Sequence, residues 1–232
     1  GAGNINDAIT NTGNTVQTVT YIVTPTGPAA TLCAGTPSNF VVTVYPTPLV
    51  TNATLTQTIC TGGTATFVPT SNVAGTTFAY TASGSSANVS GYTAAGAGNI
   101  SNVLTNIGTA PETVTYVITP TGPAPTFCVG TPVNFVVTVN PTPVVNAVAN
   151  QTVCNNSATA VINFASATAG TTFAWTNSNI AIGLAAAGAG NIASFTATNA
   201  GTTPITATIT VTATANGCVG PSLNFTFTIN PT

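Results

Sequence analysis

The chain has 232 residues with no Lys, Arg or His, and its only carboxylates are Asp7 and Glu112. That excludes an enzyme, a nucleic-acid partner and a metal or cofactor site. Acid–base and nucleophilic catalysis need a titrating partner, phosphate neutralisation needs Lys and Arg, and metal sites need clustered ligands rather than two isolated acids and five dispersed cysteines.

Disorder and membrane insertion are excluded next. The hydrophobic fraction is 44% and mean hydropathy is +0.44, enough for a core. No apolar run approaches the roughly 18 residues of a membrane helix. Aromatics are 7% and prolines punctuate the chain regularly, unlike a membrane barrel with its aromatic girdles. The expected class is soluble and all-β.

The opening Gly1-Ala-Gly-Asn-Ile5 returns at Gly96–Ile100 and at Gly188–Ile192, so the chain is a tandem repeat. Tyr21 then falls in a strand, followed by Cys33, by Asn39-Phe40-Val-Val-Thr-Val, and by the Pro46-Thr-Pro48 triplet. The next segment repeats these marks as Tyr116, Cys128, Asn134-Phe135-Val-Val-Thr-Val and Pro141-Thr-Pro143, each 95 positions later. Paired prolines stop a strand and form a stiff link. Cutting there divides the chain into 1–46, the second half of a repeat, and two complete repeats, 47–141 and 142–232.

Within 47–141, Cys60 precedes Ala74-Gly-Thr-Thr-Phe-Ala-Tyr80, which returns in the last repeat as Ala169–Trp175. In 142–232, period-2 alternation predicts strands A, B, C, E, F and G at Val144–Val148, Ala158–Phe164, Thr172–Thr176, Ser194–Thr198, Ile205–Ala215 and Leu223–Ile229. Short strands at this density, separated by Gly, Asn and Pro turns, predict tandem immunoglobulin-like β-sandwiches of about seven strands each. Tyr80 and Trp175 are expected as the core aromatics of strand C. Tyr21 and Tyr116 are expected as core or corner tyrosines of strand F, where the last repeat has Ile209. Asp7 aligns with Asn102 and Glu112 with Gln17, so neither acid recurs and neither is expected to carry function.

These marks together resemble the PKD-like, immunoglobulin-like repeats of very long surface proteins of gliding bacteria. They are Gln-Thr-(Ile/Val)-Cys, Gly-Thr-Thr-Phe-Ala-(Tyr/Trp), Gly-Ala-Gly-Asn-Ile, a late Cys-x-Gly and Asn-Phe-x-x-Thr-(Val/Ile)-x-Pro-Thr. The resemblance spans the whole chain and implies an adhesin, stalk, or extracellular matrix or filament component. Cadherin-like relatives hold calcium on acidic residues at domain junctions. The Pro46–Pro48 and Pro141–Pro143 links lack those acids, so no calcium is expected here.

Each complete repeat has an early and a late cysteine, giving Cys60 with Cys128 and Cys154 with Cys218; Cys33 is a late cysteine whose partner would lie upstream. Pairing within repeats closes loops of 64 to 68 residues, about 4 kcal/mol in the chain-entropy model. The rival pairing is Cys33–Cys60 with Cys128–Cys154, across the linkers, and spacing leaves the connectivity open. Pairing within repeats is preferred, although the two turns concerned lie at opposite ends of a standard sandwich.

Thr makes up about a fifth of the chain and fills outward positions, as in Thr206, Thr208, Thr210, Thr212 and Thr214. The sequons at Asn52, Asn88, Asn99, Asn150, Asn155 and Asn224 are chance matches in an Asn/Thr-rich chain; glycans on Thr or Ser would supply missing hydration. Charge normally guards sheet edges and keeps domains apart, and here it is absent. The expected function is a structural segment of a secreted, extracellular surface filament or matrix protein, self-associating with copies of itself. The alternatives are the passive stalk of an adhesin, or a carbohydrate- or ice-binding module.

Overall fold

Strands form where Val, Ile, Phe and Tyr alternate with Thr, and they stop at Gly, Pro and Asn. The computed structural model describes residues 3–30 and 32–232. Gly1 and Ala2 of the first Gly-Ala-Gly-Asn-Ile copy, with which segment 1–46 begins, lie outside the described residues, as does Thr31.

Two immunoglobulin-like β-sandwiches follow a β-hairpin. In the first sandwich one sheet runs Thr56–Cys60, Val133–Asn140, Glu112–Thr121, Thr77–Gly84 and Ala95–Ala97 in spatial order. All neighbours are antiparallel except the first pair, where Thr56–Cys60 lies parallel to Val133–Asn140. The opposing layer pairs Thr64–Phe67 with Ile100–Val103, and Val89–Ser90 with Thr105–Asn106. Between them lie Val114, Tyr116, Ile118, Phe135, Val137 and Val139, all buried, with Phe67 stacked on Phe135 at 4.6 Å between ring centroids. Each such side chain contributes about 1.5–3 kcal/mol through burial.

The second sandwich repeats the plan with Gln151–Cys154, Leu223–Asn230, Ile205–Ala215, Thr172–Asn177 and Ala187–Ala189. Its core holds Ile162, Phe164, Trp175, Ile182, Ile209, Phe225 and Phe227. Along Ile205–Ala215 the Ala, Ile and Val side chains point inward from Ala207 on, and the five threonines point outward.

Three strand assignments change. The expected strand at Val144–Val148 is not one; the first strand of this sandwich is Gln151–Cys154, parallel to Leu223–Asn230. Ala158–Phe164 and Ser194–Thr198 form no continuous ladder: Ala158 bridges Thr196, and Ile162 bridges Ile192, just before the second segment. Side chains take over part of the ladder there: Asn191 Oδ1 accepts from the Phe164 amide at 2.9 Å, and Thr159 Oγ1 accepts from the Phe195 amide at 3.1 Å. A short 3-10 helix, Ile180–Ile182, capped by Asn179, also interrupts the alternation.

The hairpin pairs Gln17–Val23 with Ser38–Val44 and sets Tyr21 opposite Phe40, the register that sets Tyr116 opposite Phe135 in the first sandwich. Its inner face is open. Phe40 is 55% exposed where Phe135 is 2%, and Val23 is 45% exposed where Ile118 is 1%.

Candidate functional site

The joint between the sandwiches is where sequence-specific chemistry concentrates. Cys60 ends a strand parallel to Val133–Asn140, opposite Asn140, and the next amide, Thr61, donates to the Asn140 carbonyl at 2.9 Å. Cys60 therefore sits at the pole where its sandwich ends. Cys128 sits at the other pole: its carbonyl accepts from Gly122 at 2.8 Å, and Val129 bridges Thr121. The eight residues of Val133–Asn140 separate the two poles, about 26 Å at 3.3 Å per residue. A disulfide needs Cα atoms within about 7 Å.

The preferred pairs Cys60–Cys128 and Cys154–Cys218 are thus corrected. Cys60 bonds Cys218 of the following sandwich, with Cα atoms 5.7 Å apart. The rival pairing fails at the same point, because Cys60 is not joined to Cys33. Cys154 is an exposed thiol, and Cys128 is a half-buried one that shares a 3.3 Å hydrogen bond with Thr126 Oγ1. Cys33 lies in the hairpin turn, where its carbonyl accepts from Gly27 at 2.9 Å.

Three further features close the joint. The Asn140 side-chain amide donates to the Asn216 carbonyl at 3.1 Å, one sandwich to the next. The prolines of both Pro-Thr-Pro triplets are buried. The glycines of the Cys128 and Cys218 turns lie against the linkers: a Cβ at Gly220 would fall 1.8 Å from the Pro143 carbonyl oxygen, and one at Gly130 equally close to that of Pro48. Only glycine fits there. Clefts of about 240 and 300 Å³ open beside the two linkers, the first lined by Tyr45, Pro46, Pro123 and Cys128, the second by Asn106, Thr142, Val144 and Thr168.

The aromatic residues sit as follows. Tyr80, Tyr116 and Trp175 are buried; Tyr21 is half-buried. Gly96 lies opposite Tyr80 and Gly188 opposite Trp175, each ring lying over the bare glycine. Gly98 and Gly190 turn the chain with φ of 74° and 68°. Those are the physical duties of the Gly-Ala-Gly motif. The Trp175 indole nitrogen is buried without a hydrogen-bond partner among the described residues.

Tyr116 donates to Asn102 Oδ1 at 2.9 Å, and burial beside Tyr80 pushes its hydroxyl up to about 12. Tyr21 donates to Asp7 Oδ2 at 2.8 Å in the equivalent place, and that hydrogen bond to a carboxylate raises its pKa. Glu112 is held below the usual carboxylate range by hydrogen bonds from Ser85, Ser86 and Asn88. Both acids thus serve local hydrogen bonding. Among the described residues no three His, Cys, Asp or Glu side chains group as metal ligands, and no helix is long and apolar enough to cross a membrane.

One constellation escaped the sequence reading. Asn106 is buried and donates to the carbonyls of Ala110 and Val139, both at 2.8 Å, while its Oδ1 accepts from the Gly108 amide at 2.8 Å. Asn199 does the same with Thr203, Ile229 and Gly201, and Asn11 with Thr15, Val44 and Gly13. The signal was present as Asn-x-Gly in all three repeats. It ties each turn to the end of the last strand, just before the joint.

Against known proteins, the family model described as a PKD-like domain matches residues 1–48 and 57–143. No curated protein matches the sequence. Among solved structures, Drosophila N-cadherin EC1-4 aligns over 95% of this chain and 59% of its own length, at 10% identity and a TM-score of 0.39. Mouse cadherin-23 EC22-24 aligns over 80% and 67%, at 11% identity and a TM-score of 0.38. The immunoglobulin domains 1-4 of Sidekick-1 align over 92% and 58%, at 12% identity and a TM-score of 0.36.

Proposed function

The chain belongs to the PKD-like domain family, a fold typical of extracellular adhesion-type repeats, and from that premise we propose that it is a structural repeat segment of a secreted surface filament or matrix protein, self-associating through neutral β surfaces. The observation that carries the reading is the near-absence of charge beside outward threonine faces such as Thr206, Thr208, Thr210, Thr212 and Thr214, which leaves the sheets without the usual guard against pairing with other copies. Net charge of −2 opposes such contact weakly. The Cys60–Cys218 bond favours an oxidising, extracellular setting.

The stapled joint with its buried prolines favours a second reading, a stiff stalk that carries a distal adhesive domain. Sedimentation velocity and electron microscopy of the native material separate the two. Ordered fibres or concentration-dependent oligomers at low salt support the filament, and monomeric strings of beads at high concentration overturn it in favour of the stalk.

A further inference from the structure

The Cys60 pole and the Cys154 pole match bond for bond. Cys60 lies opposite Asn140, and Cys154 opposite Asn230. The next amide donates to that Asn carbonyl in both, Thr61 at 2.9 Å and Asn155 at 2.8 Å. The second amide donates into the opposing layer, Gly62 to Leu104 and Asn156 to Ala197, each at 2.8 Å. The third returns to the cysteine carbonyl, Gly63 to Cys60 at 2.9 Å and Ser157 to Cys154 at 3.1 Å. One of these two equal poles carries a disulfide to the Cys-x-Gly turn of the next sandwich, and the other exposes its thiol.

We propose that the repeats obey one covalent rule, early cysteine to the late cysteine of the following repeat, and that Cys154 is the outgoing half of the next such bond. Its partner is the Cys-x-Gly turn of another repeat of this type, seated on the pole at Asn230–Thr232. Cys128 is by the same rule the incoming half for a preceding repeat, since its turn meets Pro48 as the Cys218 turn meets Pro143. The bond forms by exchange with a small disulfide of the oxidised-glutathione class. The Cys154 thiolate attacks one sulfur of the donor and expels a thiol; the late cysteine's thiolate then attacks the Cys154 sulfur and expels the second. Two protein thiols are oxidised, one donor disulfide is reduced to two thiols, and the array becomes a staggered covalent chain. The inference rests on the joint, not on self-association.

The test extends the full chain at its C-terminus by a second copy of residues 142–232, equilibrates it with oxidised glutathione, and maps the disulfides without reduction. The expected linkage joins Cys154 to the cysteine of the added copy's Cys-Val-Gly turn, with Cys60–Cys218 retained. An alkylatable Cys154, or a Cys154–Cys218 bond, overturns the rule. Cys60→Ser in the unextended chain gives an independent readout: Cys218 and Cys154 must both remain alkylatable, and a bond between them overturns the rule as well.

Discussion

Cys60 and Cys218 are 158 residues apart in sequence and 5.7 Å apart at their Cα atoms, and their bond joins the end of one sandwich to the turn that opens the next. Reduction of this bond frees the joint without touching either core. The second sandwich is expected to lose about 2–4 kcal/mol, the usual range for a native cross-link. Trp175, the sole Trp, reports it in urea unfolding with and without reductant. Small-angle scattering of the reduced protein should show a broader spread of end-to-end distances, and an unchanged profile would mean that the noncovalent contacts of the joint suffice to hold it.

The Asn-x-Gly plug is the next test. Asn199→Ala leaves the Thr203 and Ile229 carbonyls and the Gly201 amide without their partner, and should destabilise the second sandwich by about 2–4 kcal/mol, since each stranded buried group costs about 1–3 kcal/mol. Asn106→Ala should do the same to the first. Asn11→Ala should cost less, because Asn11 is only half-buried. Calorimetry resolves the two sandwiches as separate transitions once the Cys60–Cys218 bond is reduced.

Gly188→Ala places a methyl 2.2 Å from the Trp175 ring. The ring cannot yield without moving into Ile209 and its neighbours in the core, so a loss of about 1–3 kcal/mol is expected. Trp175 emission should shift to the red as the indole is displaced toward solvent. Gly190→Ala tests a different cost in the same motif, because its φ of 68° penalises any side chain although nothing lies within 4 Å of a Cβ there.

The pH dependence should be flat across the middle range. Glu112 has a lowered folded pKa, so its contribution is present above the ordinary carboxylate range and disappears as pH falls through the depressed value. Tyr116 has a raised folded pKa, so its contribution is complete below pH 10 and is lost as pH rises through about 12. No His titrates between these limits. Melting temperatures measured from pH 5 to pH 9 should coincide, and a midpoint near neutrality would contradict this assignment.

Fold class was legible because period-2 alternation and a 95-residue offset both survive in the linear sequence. Tyr80, Trp175 and Tyr116 could be placed inside for the same reason: each falls on the buried phase of its alternating strand. The disulfide was not legible. Spacing records only distance along the chain, whereas Cys60 and Cys128 are kept apart by the length of a strand, and what brings Cys218 close is the stacking of one sandwich on the next. The first strand was misplaced at Val144–Val148 because the Asn146 amide donates to the Ala165 carbonyl at 2.8 Å without extending into a ladder, and strand pairing begins at Gln151. The two reduced strands were overestimated because Asn191 and Thr159 replace backbone partners by side-chain ones.

The hairpin yields the last prediction. Phe40 and Phe135 occupy the same register position opposite Tyr21 and Tyr116, yet one is 55% exposed and the other 2%. Phe135→Thr should therefore cost about 3–5 kcal/mol, as a large-to-small change at a ring stacked on Phe67 and packed beside Tyr116. Phe40→Thr should leave both sandwich transitions within about 0.5 kcal/mol of the parent, as a substitution outside any closed core. Self-association through the neutral threonine faces predicts concentration-dependent oligomers in sedimentation that persist undiminished in Phe40→Thr. A parent that is monomeric throughout favours the stalk.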